Sequence, residues 1–198
     1  SHLVQAEDED VAKERAEVKA GHLRENTALL LDGLTKTYPN GTRATRQLCA
    51  QIANGQCFGL LGINGAGKTT TFRMLTGEFL PSEGDALLLT EPGDGASKLS
   101  VTNQIEAVRR HIGYCPQFDG LQPNMTCAEH LRFYALSRGV PPYRLQDVGK
   151  HLLARMGLTK YTDRRAGTLS GGNKRKLSVA IALIGDPQLV LLDEPSSG

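Results

Sequence analysis

No apolar run in this chain comes near the roughly 20 residues needed to cross a bilayer. The N-terminus also lacks the apolar core of a secretory leader, so the piece reads as soluble as it stands. Charge of neither sign is in excess. The formal net charge is +2, and lysine and arginine are scattered apart from one cluster, which excludes the broad basic footprint of a nucleic-acid binder. Cysteine is sparse: Cys49, Cys57, Cys115 and Cys127 form no CxxC pair and no Cys/His metal spacing. Two of them fall in expected core strands, and they read as reduced thiols of a cytosolic compartment. At 198 residues the chain suits one domain with a sizeable core, or one domain with a tail. A closing element is missing after the last core-strand pattern, residues 189–192, which carries the expectation of a fragment.

What is present centres on residues 57–77, CFGLLGINGAGKTTTFRMLTG. The apolar residues 58–61 predict a buried parallel strand that enters a glycine turn, which opens onto Lys68, Thr69 and a helix. Gly62, followed after four residues by Gly67, Lys68 and Thr69, fits a phosphate-binding loop. The glycines let backbone N–H groups converge on phosphate oxygens at a positive helix end. Lys68 would reach the β- and γ-phosphates, and Thr69 would place its hydroxyl on Mg²⁺. A glycine turn with a stray lysine is the alternative, and strand and helix on both sides weigh against it.

Ahead of that stretch, residues 1–26 are charged, with the acidic run Glu7, Asp8, Glu9, Asp10. Val4, Val11 and Val18 recur at sevenfold spacing, a weak coil, and the segment reads as a solvated linker or lone helix. The globular domain begins near Thr27. Residues 28–34 and 47–53 predict two strands joined through a turn at Tyr38, Pro39, Asn40 and Gly41. Tyr38 at the tip either stacks on a base or is a half-buried structural tyrosine. Beyond the loop helix, Pro81, Ser82, Glu83 and Gly84 turn into a strand at 86–89, and 91–102 reads as a surface loop. A short helix near 104–110 leads to a strand at 111–115 that ends at Pro116-Gln117. Gln117, an uncharged side chain at a strand's C-terminal edge, is well placed to touch a ligand. Thr126 and Glu129 make a capping box for a helix with Leu131, Tyr134 and Ala135 on one face. Leu145, Val148, Leu152 and Met156 repeat at helical spacing. No strand separates these two helices, so residues 118 to about 163 read as a helical insertion.

Residues 169–173, LSGGN, set a serine and two glycines at the start of a further helix in which Leu177, Ile181 and Ile184 face inward. Ser170 is a good N-cap. Its hydroxyl, the N–H groups of Gly171 and Gly172 and the positive helix end also make a receptor for a second phosphate. Lys174, Arg175 and Lys176 either reinforce that site or form a solvated face. Residues 188–192 predict a buried strand ending in Asp193 and Glu194. Paired acids at the end of an apolar strand need something to offset their burial, and Mg²⁺ held by a nucleotide would do so. Asp193 would then support the metal, and Glu194 would accept a proton from a water aligned on the γ-phosphate. A solvated acid pair is the alternative.

With these pieces in this order the chain resembles the nucleotide-binding domain of an ATP-binding cassette (ABC) transporter. Residues 62–69 match the Walker A motif, 169–172 the signature motif, and 189–194 Walker B with its following glutamate. Ser196, Ser197 and Gly198 look like the start of the D-loop. Gln117 matches the Q-loop glutamine and Tyr38 the adenine-stacking aromatic. Residues 113–119, GYCPQFD, residues 171–178, GGNKRKLS, and the acidic linker Glu9-Asp10-Val11 look like subfamily A, whose members move lipids across or within membranes. Asn173, in place of the usual glutamine, is similar to the second of the two nucleotide-binding domains in those chains. The resemblance implies an α/β fold over residues 27–198, a P-loop NTPase core of the ABC ATPase type. It has a mixed sheet flanked by helices, an N-terminal antiparallel β subdomain and a helical subdomain at about 118–185, with 1–26 as linker or tail.

The same resemblance implies ATP and Mg²⁺. Tyr38, Gly62, Asn64, Gly65, Ala66, Gly67, Lys68, Thr69 and Thr70 would hold the nucleotide, and Thr69, Gln117 and Asp193 the metal. Lys68, Gln117 and Glu194 would be catalytic, with Glu194 the base. Two such domains would face head to tail, with Ser170, Gly171 and Gly172 capping the partner's ATP. The helical insertion would meet transmembrane domains at the cytoplasmic face of a membrane transporter, with lipid the substrate and no nucleic acid. The family's switch histidine follows the D-loop, and none of His2, His22, His111, His130 and His151 lies beyond Walker B. The isolated piece is expected to bind ATP weakly and hydrolyse it poorly or not at all, and the full-length protein to be an active ATPase. The rivals are a soluble ABC ATPase of another class, a regulatory nucleotide half-site with little hydrolysis, and a small-molecule P-loop kinase.

Overall fold

The computed structural model describes residues 8–90 and 97–194. Val4, Glu7, the first part of the loop expected at 91–102, and the D-loop residues 196–198 lie outside them. The chain divides into two compact units, Ser1–Arg109 and Arg110–Gly198.

In the first unit the charged tail forms helix α1 (Glu9–Lys19). Asp8 caps it by accepting from the Asp10 N–H, and acids in its first turn with Lys19 in its last complement the helix dipole. The helix is docked. Val18 is buried, and a Glu14 carboxylate oxygen accepts the Gln51 N–H at 2.7 Å. Arg24 pairs with Glu14 and Glu17 and donates its own N–H to Gln51 Oε1 at 2.9 Å. Polar bonds hold the tail, because Val11 is half exposed and no valine seam exists among the described residues.

Strands β1 (Thr27–Thr37) and β2 (Arg43–Ala53) form the expected hairpin, closed by a Tyr38 N–H to Thr42 O bond of 2.8 Å. After helix α2 (Lys68–Leu75), strand β3 (Glu83–Leu89) pairs antiparallel with β1, and β4 (Lys98–Ser100) with β3. The sheet order is β2-β1-β3-β4. Leu29, Leu31, Leu34, Ala86 and Leu88 fill its core. Strand β4 falls inside the stretch read as a surface loop. Three residues are too few to show a period, and Ser100 is drawn in by its hydroxyl donating to Asp85 Oδ2 at 2.5 Å.

The strand expected at 58–61 does not form. Those residues carry no ladder, Phe58 is half exposed and Leu61 is 92% exposed. An apolar run becomes a parallel strand only when neighbouring strands supply partners for its N–H and C=O groups. The parallel ladder among the described residues joins two other strands.

Those two are in the second unit. Helix α3 (Ile105–His111) leads into β5 (Ile112–Cys115), which pairs in parallel with β6 (Leu189–Leu192), Ile112 opposite Leu189 and Cys115 opposite Leu192. Between them come α4 (Cys127–Ser137), α5 (Leu145–Arg155) and α6 (Gly171–Ala182), with short 3₁₀ turns and no strand. Leu131, Leu152, Leu153, Leu158, Leu177 and Ile184 pack into one core, each fully buried leucine contributing about 1.5–3 kcal/mol. The capping box forms as predicted, with Thr126 and Glu129 satisfying each other's N–H groups. His130 is buried: Nε2 accepts from the Gln122 N–H at 2.9 Å, so Nδ1 carries the proton donated to Thr126 O at 2.8 Å. Parallel pairing brings the C-terminal ends of β5 and β6 side by side, and the ladder continues through an Asp193 N–H to Cys115 O bond of 2.9 Å.

Candidate active site

The glycine loop lies in the first unit. Gly65 (φ 84°) and Gly67 (φ 92°) hold left-handed backbone. A Cβ at Gly67 would stand 2.3 Å from Ala44 O and 2.9 Å from Thr45 Cγ2, so only glycine lets the loop lie against β2. A Cβ at Gly62 would stand 2.8 Å from the Ala66 Cβ. Gly67 is also the N-cap of α2, with no side-chain cap, which leaves the first turn's amides suited to an anion. Lys68 Nζ donates to Gly62 O at 2.6 Å and Ile63 O at 3.1 Å, holding the ammonium against the loop. The hairpin tip reaches the same turn. The Tyr38 hydroxyl and Thr70 Oγ1 are 3.1 Å apart, and the half-buried Tyr38 ring meets Phe79 edge-on at 5.9 Å. A cavity of about 380 Å³ lies between the loop and β2, lined by Lys68 and by Arg43 and Arg46. The two arginines escaped the sequence reading because alternation on a strand reveals sidedness, not which side meets a loop.

Gln117, Ser170, Gly171, Gly172, Asp193 and Glu194 lie in the second unit. The acids at the end of β6 part company. Asp193 is 3% exposed and its Oδ2 is buried without a hydrogen-bond partner, whereas Glu194 is exposed, at φ 48°. A buried carboxylate oxygen without a hydrogen-bond partner is costly, and a cation meets that need. Among the described residues no cluster of three or more His, Cys, Asp or Glu could hold a metal. The Gln117 amide and the Asp193 carboxylate of this unit are oxygen donors of the kind Mg²⁺ takes beside water and phosphate oxygens. Gln117 Nε2 donates to Glu194 Oε2 at 3.1 Å. Ser170, Gly171 and Gly172 are exposed at the start of α6, where Ser170 Oγ accepts from the Asn173 N–H at 3.4 Å. The Tyr161 phenol is held below its ordinary pKa by Lys160 and then by Asn173, so the Asn173 side chain is engaged within the helical region.

The basic run does not behave as one face. Lys176 is exposed, but Arg175 is 4% exposed and points inward. Its guanidinium donates to Pro116 O and Asp193 O and lies 3.4 Å from Asp119 Oδ1. For Arg175 the readings of an anion-site cation and a solvated face are both corrected, while the exposed Lys176 keeps to a solvated face. Arg175, Ser178 and Ala182 recur at i, i+3 and i+7, a buried stripe that the neighbouring lysines concealed. Burial also pushes the Cys115 thiol up, beside this cluster. Cys49 and Cys127 are buried as well, whereas Cys57 is exposed, along with the stretch that does not become a strand.

The ABC transporter family profile matches residues 45–197. Retinal-specific phospholipid-transporting ATPase ABCA4 of Homo sapiens is 50% identical over 193 residues, which cover 97% of this chain and 8% of that protein. Phospholipid-transporting ATPase ABCA7 of Homo sapiens is 48% identical over 198 residues, covering 99% of this chain and 9% of that protein. The chain thus spans under a tenth of the length of these curated relatives. Among solved structures, cbiO1 from Clostridium perfringens, part of the ABC transporter complex cbiONQ, superposes with a TM-score of 0.75 at 26% identity, covering 88% of this chain and 68% of that one. The α/β fold is accordingly that of an ABC-type ATPase. The matched residues take in every predicted site residue except Tyr38, and on that match the chain belongs to the ABC transporter family.

Proposed function

We propose that this chain is the ATP-binding and ATP-hydrolysing domain of a subfamily A transporter, in which ATP-driven pairing of two such domains moves a lipid across or within a membrane. The observation that carries the reading is the division of labour at the end of β6. Asp193 buries an unpartnered carboxylate oxygen, while Glu194 stands exposed and bonded to Gln117. One acid suits a cation, the other a water.

Gly62, Asn64, Gly65, Ala66, Gly67 and Thr70 hold phosphate, and Lys68 exchanges its loop carbonyls for the β- and γ-phosphate oxygens. Tyr38 stacks on adenine. Thr69, Gln117 and Asp193 would hold Mg²⁺, which would neutralise charge on the phosphates. Glu194 accepts a proton from the water that attacks the γ-phosphorus, the bond to the bridging oxygen breaks, and ADP and phosphate leave. Gln117 keeps the Glu194 carboxylate in place before that transfer. Ser170, Gly171 and Gly172 serve the nucleotide of a second domain facing head to tail, so that one chain carries half of each of two sites. The helical region meets the transmembrane domains of the same protein at the cytoplasmic face. The lipid assignment is supported by relatives named phospholipid-transporting ATPases. The near-neutral net charge of +2 weighs against nucleic acid as a partner.

The test is ATP turnover by the full-length protein in lipid vesicles of varied composition, with Glu194→Gln and Ser170→Arg beside the wild type. Both substitutions are expected to lower turnover by about 10²-fold or more, with ATP still bound by Glu194→Gln. Turnover that survives Glu194→Gln would make this half a regulatory nucleotide site.

A further inference from the structure

The proposed mechanism uses no member of the basic run 174–176, and Arg175 is the one of the three that is buried. A guanidinium is costly to bury unless its donors are met, and an apolar side chain would fill the same space more favourably. What an apolar side chain cannot do is draw two strand ends onto one planar fork. Here one terminal nitrogen donates to Pro116 O, at the end of β5, and the other to Asp193 O, at the end of β6. Asp119 flanks the fork at 3.4 Å and is itself held by the Ser178 hydroxyl at 2.6 Å. The residues that follow these two carbonyls are Gln117 and Glu194, whose side chains bond to each other. The fork belongs to α6, the helix that begins just after Ser170.

Resting on the ATPase reading above, we propose that Arg175 is a positioning residue for hydrolysis. It registers the ends of β5 and β6 so that Gln117 meets Glu194. It also ties the direction of the serine-glycine helix start to that of the general base, so that a nucleotide captured on Ser170 is sensed at Glu194 of the same chain. The two carbonyls that the fork gathers directly precede Gln117 and Glu194, so its loss acts on the chemical step.

The experiment measures kcat and KM for ATP on the full-length protein in lipid vesicles, for Arg175→Lys, Asp119→Asn, Ser170→Ala and the Ser170→Ala/Arg175→Lys pair, with Glu194→Gln as control. Lysine keeps the charge and loses the fork. The expected result is a kcat per folded molecule lowered about 10- to 100-fold in Arg175→Lys, with KM within about twofold of wild type. The Ser170→Ala penalty is expected to shrink in the Arg175→Lys background, since coupled residues are non-additive. Should Arg175→Lys fail to fold, Asp119→Asn, which loosens the fork from outside, is expected to give the same split at about three- to tenfold. Unchanged kcat per folded molecule in the folded variants, or penalties that simply multiply, overturns the proposal while a dead Glu194→Gln leaves the ATPase reading standing. Turnover that survives Glu194→Gln overturns both.

Discussion

A glycine and an arginine show how differently single residues can be constrained in this chain. Gly67 is held by space and by backbone conformation at once, with Ala44 O 2.3 Å from any Cβ and φ at 92°. Gly67→Ala is expected to cost about 1–2 kcal/mol for the left-handed backbone alone, plus the displacement of the loop from β2. Thermal unfolding and titration with a fluorescent ATP analogue would show a lowered Tm together with lost affinity. Gly172 is the contrast, since no atom lies within 4 Å of its Cβ position. Gly172→Ala should leave Tm within about 1 °C, surface changes away from packed features being nearly neutral. A Tm loss equal to that of Gly67→Ala would show that this helix start is held by the fold and not by what it meets in a partner. Arg175 is constrained by neither volume nor backbone but by the carbonyls it gathers.

Among the elements, α4 was legible in advance because its start is written in local chemistry. Thr126 and Glu129 cap each other, and the backbone and hydroxyl of Thr126 hold the Glu129 carboxyl below its ordinary range. Thr126→Ala is expected to cost about 1 kcal/mol in chemical denaturation. For Glu129 the folded pKa lies below the unfolded one. Its contribution is therefore fully present above about pH 4.3, the ordinary glutamate value, and fades as pH falls through the lower folded value. Glu129→Gln should therefore flatten the acid limb of stability against pH between pH 5 and 3, and an unchanged limb would mean that the cap does not titrate. Residues 58–61 are the opposite case. Their apolar run has the composition of a buried strand, but a strand is made by its neighbours, and this one has none among the described residues.

For the whole molecule, the proposed pairing assigns Lys68 and Ser170 of one chain to two different nucleotides. A single copy thus offers an incomplete site. The chain by itself is expected to hydrolyse ATP poorly or not at all, and the full-length protein to turn over; robust turnover by the chain alone that vanishes with Glu194→Gln would contradict this. Among the described residues no helix is long and apolar enough to cross a membrane. The loop glycines, the Ser170 and Thr126 caps, the helix stripes and the acid pair were all determined by the sequence itself, because each is encoded within a few residues of where it acts. Only the tertiary structure decided that α1 docks on β2, that β4 joins the sheet, that Tyr38 reaches Thr70, and that Arg175 turns inward. Each of these depends on partners far apart in the chain, 59 residues in the case of Arg175 and Pro116, and no local period encodes which carbonyl a guanidinium will meet.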